Sequence, residues 1–293
     1  MHFLLLCILS STGIFIIFKI LDRLSIPSFP VIVINYLTAT LLGFLINAGE
    51  VSLDSLRQTG WLPMSMLIGV MFILMFFLIA FSSQKAGISV TTVASKMSVV
   101  FPIAFSMMLD SSDHLTMVKA LAIAVAFGGV IMTIYKPETG KLDRAVVYIP
   151  LLLFVGMGVV DSLVKLAQHR HVMDADTALF SAILFLNAFL TGLLAMLFYR
   201  KDNKQFARGT TWFWGLLLGT VNFGSIFFLV RTLNYESAAG RSMDGSVVFG
   251  ANNISIVALS VLAGFLVFRE KLSALNWVGI VLSALALLLF ALV

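Results

Sequence analysis

The chain has 293 residues, 60% of them hydrophobic and 11% charged, with a mean hydropathy of +1.05 and a formal net charge of +5. Soluble domains carry roughly 25% charged and 45–50% apolar residues, and a water-exposed fold of this size has too little interior for so much apolar surface. A soluble enzyme, a nucleic-acid module and a disordered tail are excluded, which leaves an all-α membrane protein.

A bilayer core about 30 Å thick takes roughly 20 apolar residues per helix. In chain order the apolar runs predict ten transmembrane helices, over 2–21, 28–47, 61–81, 87–109, 116–135, 146–167, 177–198, 212–232, 244–268 and 272–292. Each run is bounded by Pro, Gly or charged residues. The opening MHFLLLCILS has no basic residue before its apolar stretch, and the first cations, Lys19 and Arg23, follow it. That order reads as a first span rather than a cleaved signal peptide. Cys7 is the single cysteine, so no intrachain disulfide forms, and it reads as a small buried hydrophobe. The third run contains FILMFFLIAF (72–81), apolar all round and expected to face lipid. Trp61, Trp212, Trp214 and Trp277 lie near run ends, where indoles favour the interface.

The cations fall between the apolar runs, so the basic balance reads as membrane topology and not as a nucleic-acid partner. Alternate loops hold five Lys and Arg on one side (Arg57, Lys119, Arg170, Arg231, Arg241) and twelve on the other, among them Lys19, Arg23, Lys85, Arg269 and Lys271. The positive-inside rule makes the richer side cytoplasmic and points both termini outward.

The two halves resemble each other. Lys19 corresponds to Lys165, Asn35 in NYLTATLLGFL to Asn187 in NAFLTGLLAML, Gly69 to Gly219, and HLTMVKALAIAV (114–125) to KLSALNWVGIVL (271–282), which sets Lys96 opposite Asn253. Five helices per copy is an odd number, so the second copy is expected upside down, the inverted repeat from which many secondary transporters are built. The expected units are 1–137 and 144–293, and the small-xxx-small series Ala120, Ala124, Gly128 and Gly215, Gly219 are expected at helix contacts.

Ten spans, a five-plus-five repeat and the closing SVLAGFLVFREKLSALNWVGIVLSALALLLF (260–290) resemble the drug/metabolite transporter superfamily, its EamA-like branch above all. In that family the fourth span of each repeat typically ends in a Gly-Glu pair, followed by a Leu-rich fifth span containing a Gly. Arg269-Glu270-Lys271-Leu272-Ser273 and Gly279 match this in the second copy, with Arg in place of Gly. The first copy departs, with Asp110-Ser-Ser-Asp-His114 followed by Gly128-Gly129. The resemblance implies a ten-helix transporter with cytoplasmic termini, against the loop count.

Lys96 is the tenth residue of the 87–109 run, hence about 15 Å from its start. A cation near mid-bilayer costs roughly 2.5–3.5 kcal/mol on insertion scales, so it needs a polar cavity or a partner. Pro102 in the same run frees the carbonyl of Ser98 one turn earlier, and Thr91, Thr92, Ser95 and Ser98 add hydroxyls. A substrate site is the preferred reading over a structural ion pair. Asp161 and Lys165 are four residues apart and share a helix face. They form either a structural bridge or a site where Asp161 exchanges the coupling proton, with Lys165, like Lys19, snorkelling to the interface. Asn35, Asn187, Asn222, Asn252 and Asn253 lie inside apolar runs, where an amide binds a polar solute or joins two helices. Asn253 gains weight as the repeat mate of Lys96.

The stretch Arg231, Glu236, Arg241, Asp244 reads as a solvated loop. The run His169, His171, Asp174, Asp176 has metal-ligand composition on a loop without fixed geometry, so no metal is expected. No P-loop, HExxH or cysteine pair occurs, and the near-miss G-x-G-x-x-D at 156–161 sits inside a span, so no cofactor is expected either. The expectation is a non-enzymatic secondary active transporter of a small polar or amphipathic metabolite in the inner (plasma) membrane. It is driven by protons through Asp161 or by exchange, with Lys96, Asn253 and Asn35 contacting substrate. Its partners are the metabolite, protons and the lipid bilayer, with no nucleic acid. The alternatives are a flippase for a lipid-linked metabolite, marked by a lateral apolar opening, and a polytopic membrane enzyme, marked by a clustered acid/base or nucleophile set.

Overall fold

In the computed structural model, residues 2–46, 62–102, 104, 116–135, 144–171, 177–198, 200–233 and 245–291 are described. Among them are ten α-helices and no strand: α1 (His2–Arg23), α2 (Ser28–Ile46), α3 (Leu62–Lys85), α4 (Ile88–Met97), α5 (Met117–Ile134), α6 (Arg144–His171), α7 (Thr177–Phe198), α8 (Gly209–Leu233), α9 (Gly245–Leu262) and α10 (Ala274–Ala291). Each predicted run overlaps one of them. Seven are long and apolar enough to cross a bilayer, and Ile88–Pro102, Ala251–Leu266 and Ala274–Leu289 are shorter apolar helices. A 3₁₀ segment (Arg200–Ala207) joins α7 to α8, and a π segment (Ala263–Val267) continues α9.

The ends follow local chemistry. After α1, Ser25 takes a left-handed φ of 55° and the Ile26 N–H reaches back to Leu21 O at 2.9 Å, a Schellman stop ahead of Pro27. Between α3 and α4 the turn runs through Gly87 at φ 103°, a conformation that a side chain would strain. At α10, Ser273 and Asn276 cap reciprocally: Asn276 N donates to Ser273 Oγ at 3.2 Å and Ser273 N to Asn276 Oδ1 at 2.9 Å.

The distribution of side chains is the reverse of that in a soluble protein. Leu45, Leu194, Leu197, Phe198 and Val281 are exposed, while Asn35, Asn222, Asn252, Thr92 and Ser98 are buried. FILMFFLIAF is not lipid-facing all round, as the sequence suggested. Ile73, Met75, Ile79 and Ala80 are buried and Leu74 and Phe77 exposed, because α3 packs on α1, α6 and α7. The Ala120/Ala124/Gly128 series is also corrected. Ala120 and Ala124 are exposed and nothing lies within 4 Å of a Cβ built at Gly128. The buried face includes Ala122, Ala126 and Gly129; the two alanines are two residues over from Ala120 and Ala124 and so roughly on the other side of the helix.

Helix partners recur in a reciprocal pattern. α2 packs on α8 as α7 packs on α3; α1 packs on α8 and α9 as α6 packs on α3 and α4; α5 packs on α10 and α2 on α7. Glycines lie at two of these contacts. A Cβ at Gly219 would meet Asn35 O at 2.6 Å, and one at Gly69 would meet Asn187 Cβ at 2.5 Å. α5 and α10 run antiparallel: Gly129 faces Ser283, Gly279 faces Thr133, and Asn276 Nδ2 donates to Thr133 O and Tyr135 O, each at 2.8 Å.

Candidate functional site

α4 carries Lys96 one residue before its end at Met97. The helix stops there because Pro102 offers no N–H to Ser98 O and its ring crowds that carbonyl. The orphaned oxygen is taken instead by Phe101 N at 2.9 Å, a tighter turn through Ser98 and Val99. The Ser98 hydroxyl accordingly sits at a break in the helix. It donates to Asp161 Oδ2 of α6 at 3.1 Å and lies 2.6 Å from Ser95 O.

Lys96 and Asp161 act on each other electrostatically, and the Cys7 thiol of α1 lies within range of the same ammonium. No ion pair of 4.0 Å or less between described residues joins Lys96 to Asp161. Both side chains are partly accessible, Lys96 in the last turn of α4 and Asp161 well inside α6. From Ile88, Lys96 is eight residues along α4, about 12 Å in depth. Thr92, one turn before Lys96 and on its face, has a buried hydroxyl without a hydrogen-bond partner among the described residues, as does Ser260 on α9. An unsatisfied hydroxyl one turn from the Lys96 ammonium leaves hydrogen-bonding capacity for a further polar group.

Cys7 completes the centre. Its sulfur lies 3.2 Å from Ser225 O of α8 and 3.2 Å from Asn252 Oδ1 of α9. Sequence reasoning gave this thiol no polar role, since a lone cysteine in an apolar run carries no signal for partners in distant helices. The expected Asn253 is partly accessible, and its neighbour Asn252 is the amide that reaches Cys7. Three other candidate amides serve helix contacts. Asn187 Nδ2 donates to Ser65 Oγ at 3.1 Å. Asn35, fully buried, meets the Asn222 amide at 3.2 Å and, with its amide nitrogen turned toward α8, donates to Leu218 O at 3.3 Å. Asp161 turns toward α4; the Lys165 side chain lies outside what is described. Lys19 Nζ reaches the last-turn carbonyls of α3, Ser83 O at 3.1 Å and Gln84 O at 3.3 Å, where the helix dipole favours a cation.

One end of the bundle is closed by Glu270, whose role no local pattern announces. Its carboxylate accepts from Ile88 N at 2.6 Å, Ser89 N at 3.2 Å and Ser89 Oγ at 2.9 Å, and so caps α4 from across the chain. Gly87 and Gly264 leave the room: a Cβ at either would meet the carboxylate oxygens at 2.8 or 2.5 Å. Arg23 adds a link at this end, with Nη2 donating to Phe268 O at 3.2 Å and its guanidinium 4.5 Å from the Phe268 ring centre.

Among the described residues no group of three His, Cys, Asp or Glu is placed to hold a metal. Arg57, Trp61, Asp110 to His114, Asp174, Asp176, Glu236, Arg241 and Asp244 lie outside the described residues.

Apolar helices with charged and polar side chains gathered inside define an α-helical, membrane-embedded protein with an internal polar centre. No protein-family model matches the chain. A protein of Haemophilus influenzae, named only as uncharacterized, is 28% identical over 295 residues, covering 98% of this chain and 96% of the relative.

Proposed function

We propose that the protein is a multi-pass secondary transporter of the inner membrane, with ten spans in two inverted five-helix copies, of the drug/metabolite transporter type. Its substrate is a small polar metabolite with an anionic or carbonyl group that meets Lys96. The observation that carries this reading is the Lys96–Asp161 pair: opposite charges on α4 and α6, coupled but not closed, partly accessible, at a helix break inside an apolar bundle. Intramembrane charges are costly and functional by default, and broken helices near the midplane are the usual site of alternating-access carriers.

The reciprocal packing supports the repeat. Exchanging the first five helices for the last five turns the α2–α8 contact into α7–α3 and α1–α9 into α6–α4, and all four contacts occur. On this reading the centre lies between the copies, since Ser98–Asp161 joins α4 to α6 and Cys7–Asn252 joins α1 to α9. Rocking one copy against the other therefore remodels the contacts that join them at the site. Asp161 holds the coupling proton, because it is the carboxylate whose charge Lys96 and Ser98 address.

The test compares metabolite pools in cells that overproduce the wild type, Lys96→Ala or Asp161→Asn, followed by counterflow of the displaced solute in vesicles. A chemically unaltered solute moves with the wild type, Lys96→Ala abolishes that movement at equal membrane abundance, and Asp161→Asn removes its dependence on a proton gradient. Undiminished transport by Lys96→Ala overturns the reading, and a covalently changed product identifies an enzyme.

A further inference from the structure

We infer that the closed end of the bundle carries a binding site for a phosphate group, separate from the Lys96 centre. A cavity of about 220 Å³ opens there, lined by Lys19, Lys85 and Lys271 around Gly87, Glu270 and Leu272. Its cations come from three places in the chain: the end of α1, the end of α3 and the stretch before α10. Lys85 and Lys271 are exposed.

The single carboxylate in the lining does not oppose an anion as a free one would. Both Glu270 oxygens are engaged by the α4 N-terminus, accepting from Ile88 N, Ser89 N and Ser89 Oγ. With three lysines against one carboxylate, the lining carries a formal charge of +2. The volume is below the roughly 300–1,000 Å³ of pockets that enclose whole metabolites, so it suits a compact anionic group. The apolar side chains of Val90, Ala86 and Leu272 share the wall, as expected where helix ends meet lipid. Basic pockets between helix ends on the cytoplasmic side select phosphate headgroups, and the loop charges place this end on the lysine- and arginine-rich side. A phosphate here contacts both halves of the chain, since Lys19 and Lys85 belong to the first and Lys271 to the second. Its binding therefore holds this end shut. The shared chemistry is a phosphoryl oxygen anion, supplied by an anionic lipid headgroup or by soluble phosphate.

The experiment uses the full chain purified in neutral detergent. Its melting midpoint is followed on titration with phosphatidylglycerol, with phosphatidylcholine, and separately with inorganic phosphate at constant ionic strength. The double variant Lys85→Gln/Lys271→Gln removes two exposed cations. Lys204→Gln/Arg208→Gln, exposed on and just after the 3₁₀ segment, removes the same charge elsewhere. Each lysine near an anionic surface contributes about fivefold in affinity, so the first variant weakens the stabilising ligand about 30-fold and the second leaves it unchanged. Stabilisation by phosphatidylglycerol alone assigns the site to lipid, and stabilisation by inorganic phosphate assigns it to a soluble phosphate. The inference fails if neither anion raises the midpoint above the phosphatidylcholine control. It also fails if the pocket variant responds like the wild type, or if both variants lose the response equally. The melting midpoint without ligand reports whether each variant is folded, and no outcome depends on transport.

Discussion

Two adjacent glycines in α5 should respond to the same substitution with opposite signs. Gly128 meets nothing within 4 Å, so Gly128→Ala adds a methyl group to open space. It gains the helix propensity of alanine, about 0.5–1 kcal/mol. At Gly129 the new Cβ would stand 2.5 Å from Ser283 Oγ, 2.9 Å from Ser283 N and 3.0 Å from Gly279 O. The hydroxyl can rotate away, but the other two atoms are backbone of α10 and move only with the helix. Overpacking of this kind costs roughly 1–3 kcal/mol, and the propensity gain offsets part of it, leaving a net loss of about 1–2 kcal/mol. The two variants should differ by about 2 kcal/mol, which at roughly 2 °C per kcal/mol for a chain of this length separates their melting midpoints by about 4 °C. Thermal unfolding of the purified protein in one detergent measures this directly. Gly279→Ala is the control from the facing helix, since its Cβ would meet Thr133 N at 2.5 Å, and it should behave like Gly129→Ala. Midpoints that move in the same direction for Gly128→Ala and Gly129→Ala would refute the α5–α10 contact.

Glu270→Ala leaves Ile88 N, Ser89 N and Ser89 Oγ without their acceptor and should lower stability by about 2 kcal/mol. Glu270→Gln keeps one acceptor oxygen and should lose about half of that; an unchanged melting midpoint for Glu270→Ala contradicts the cap. Asn276→Ala removes both the cap of α10 and the donors to Met132, Thr133 and Tyr135 carbonyls, a loss of roughly 2 kcal/mol. Asn276→Asp keeps the cap alone and should fall between the two in the same melting assay. Cys7 is 0% exposed, so a maleimide should label it slowly in folded protein and fully after denaturation, read by mass spectrometry; rapid labelling of the folded protein would place the thiol elsewhere.

The helices were legible because burial in a bilayer is written into the composition of each run. The break in α4 was legible because Pro102 acts on a carbonyl at a fixed distance along the chain, that of Ser98, whose turn now holds the hydroxyl facing Asp161. Four residues paired by sequence also meet across helices. Asn35 with Asn187 and Gly69 with Gly219 were matched by sequence, and they meet in space as Asn35 against Gly219 and Asn187 against Gly69. What stayed hidden depends on partners far along the chain. The packed face of α5 is chosen by α10, and Ala120, Ala124 and Gly128 have the same spacing as a true contact series. Cys7 gains its polar neighbours from α8 and α9, 218 and 245 residues away. Glu270 caps a helix that begins 182 residues earlier, and a cap at that separation leaves no local signature.

These long-range contacts also bear on how the two ends of the bundle differ. On the transport reading, opening the end near Glu270 requires the copies to part there. The Lys19 bonds to Ser83 and Gln84 lie within the first half and survive that motion. The Arg23 bonds to Val267 and Phe268 and the Glu270 cap on Ile88 and Ser89 cross between halves and break. Loss of the cap exposes the first N–H groups of α4, the helix that carries Lys96 about two turns further in. On that reading, closure of this end and the position of the central ammonium are linked through one short helix. Weakening the cap should favour the state open at this end without touching the charged pair.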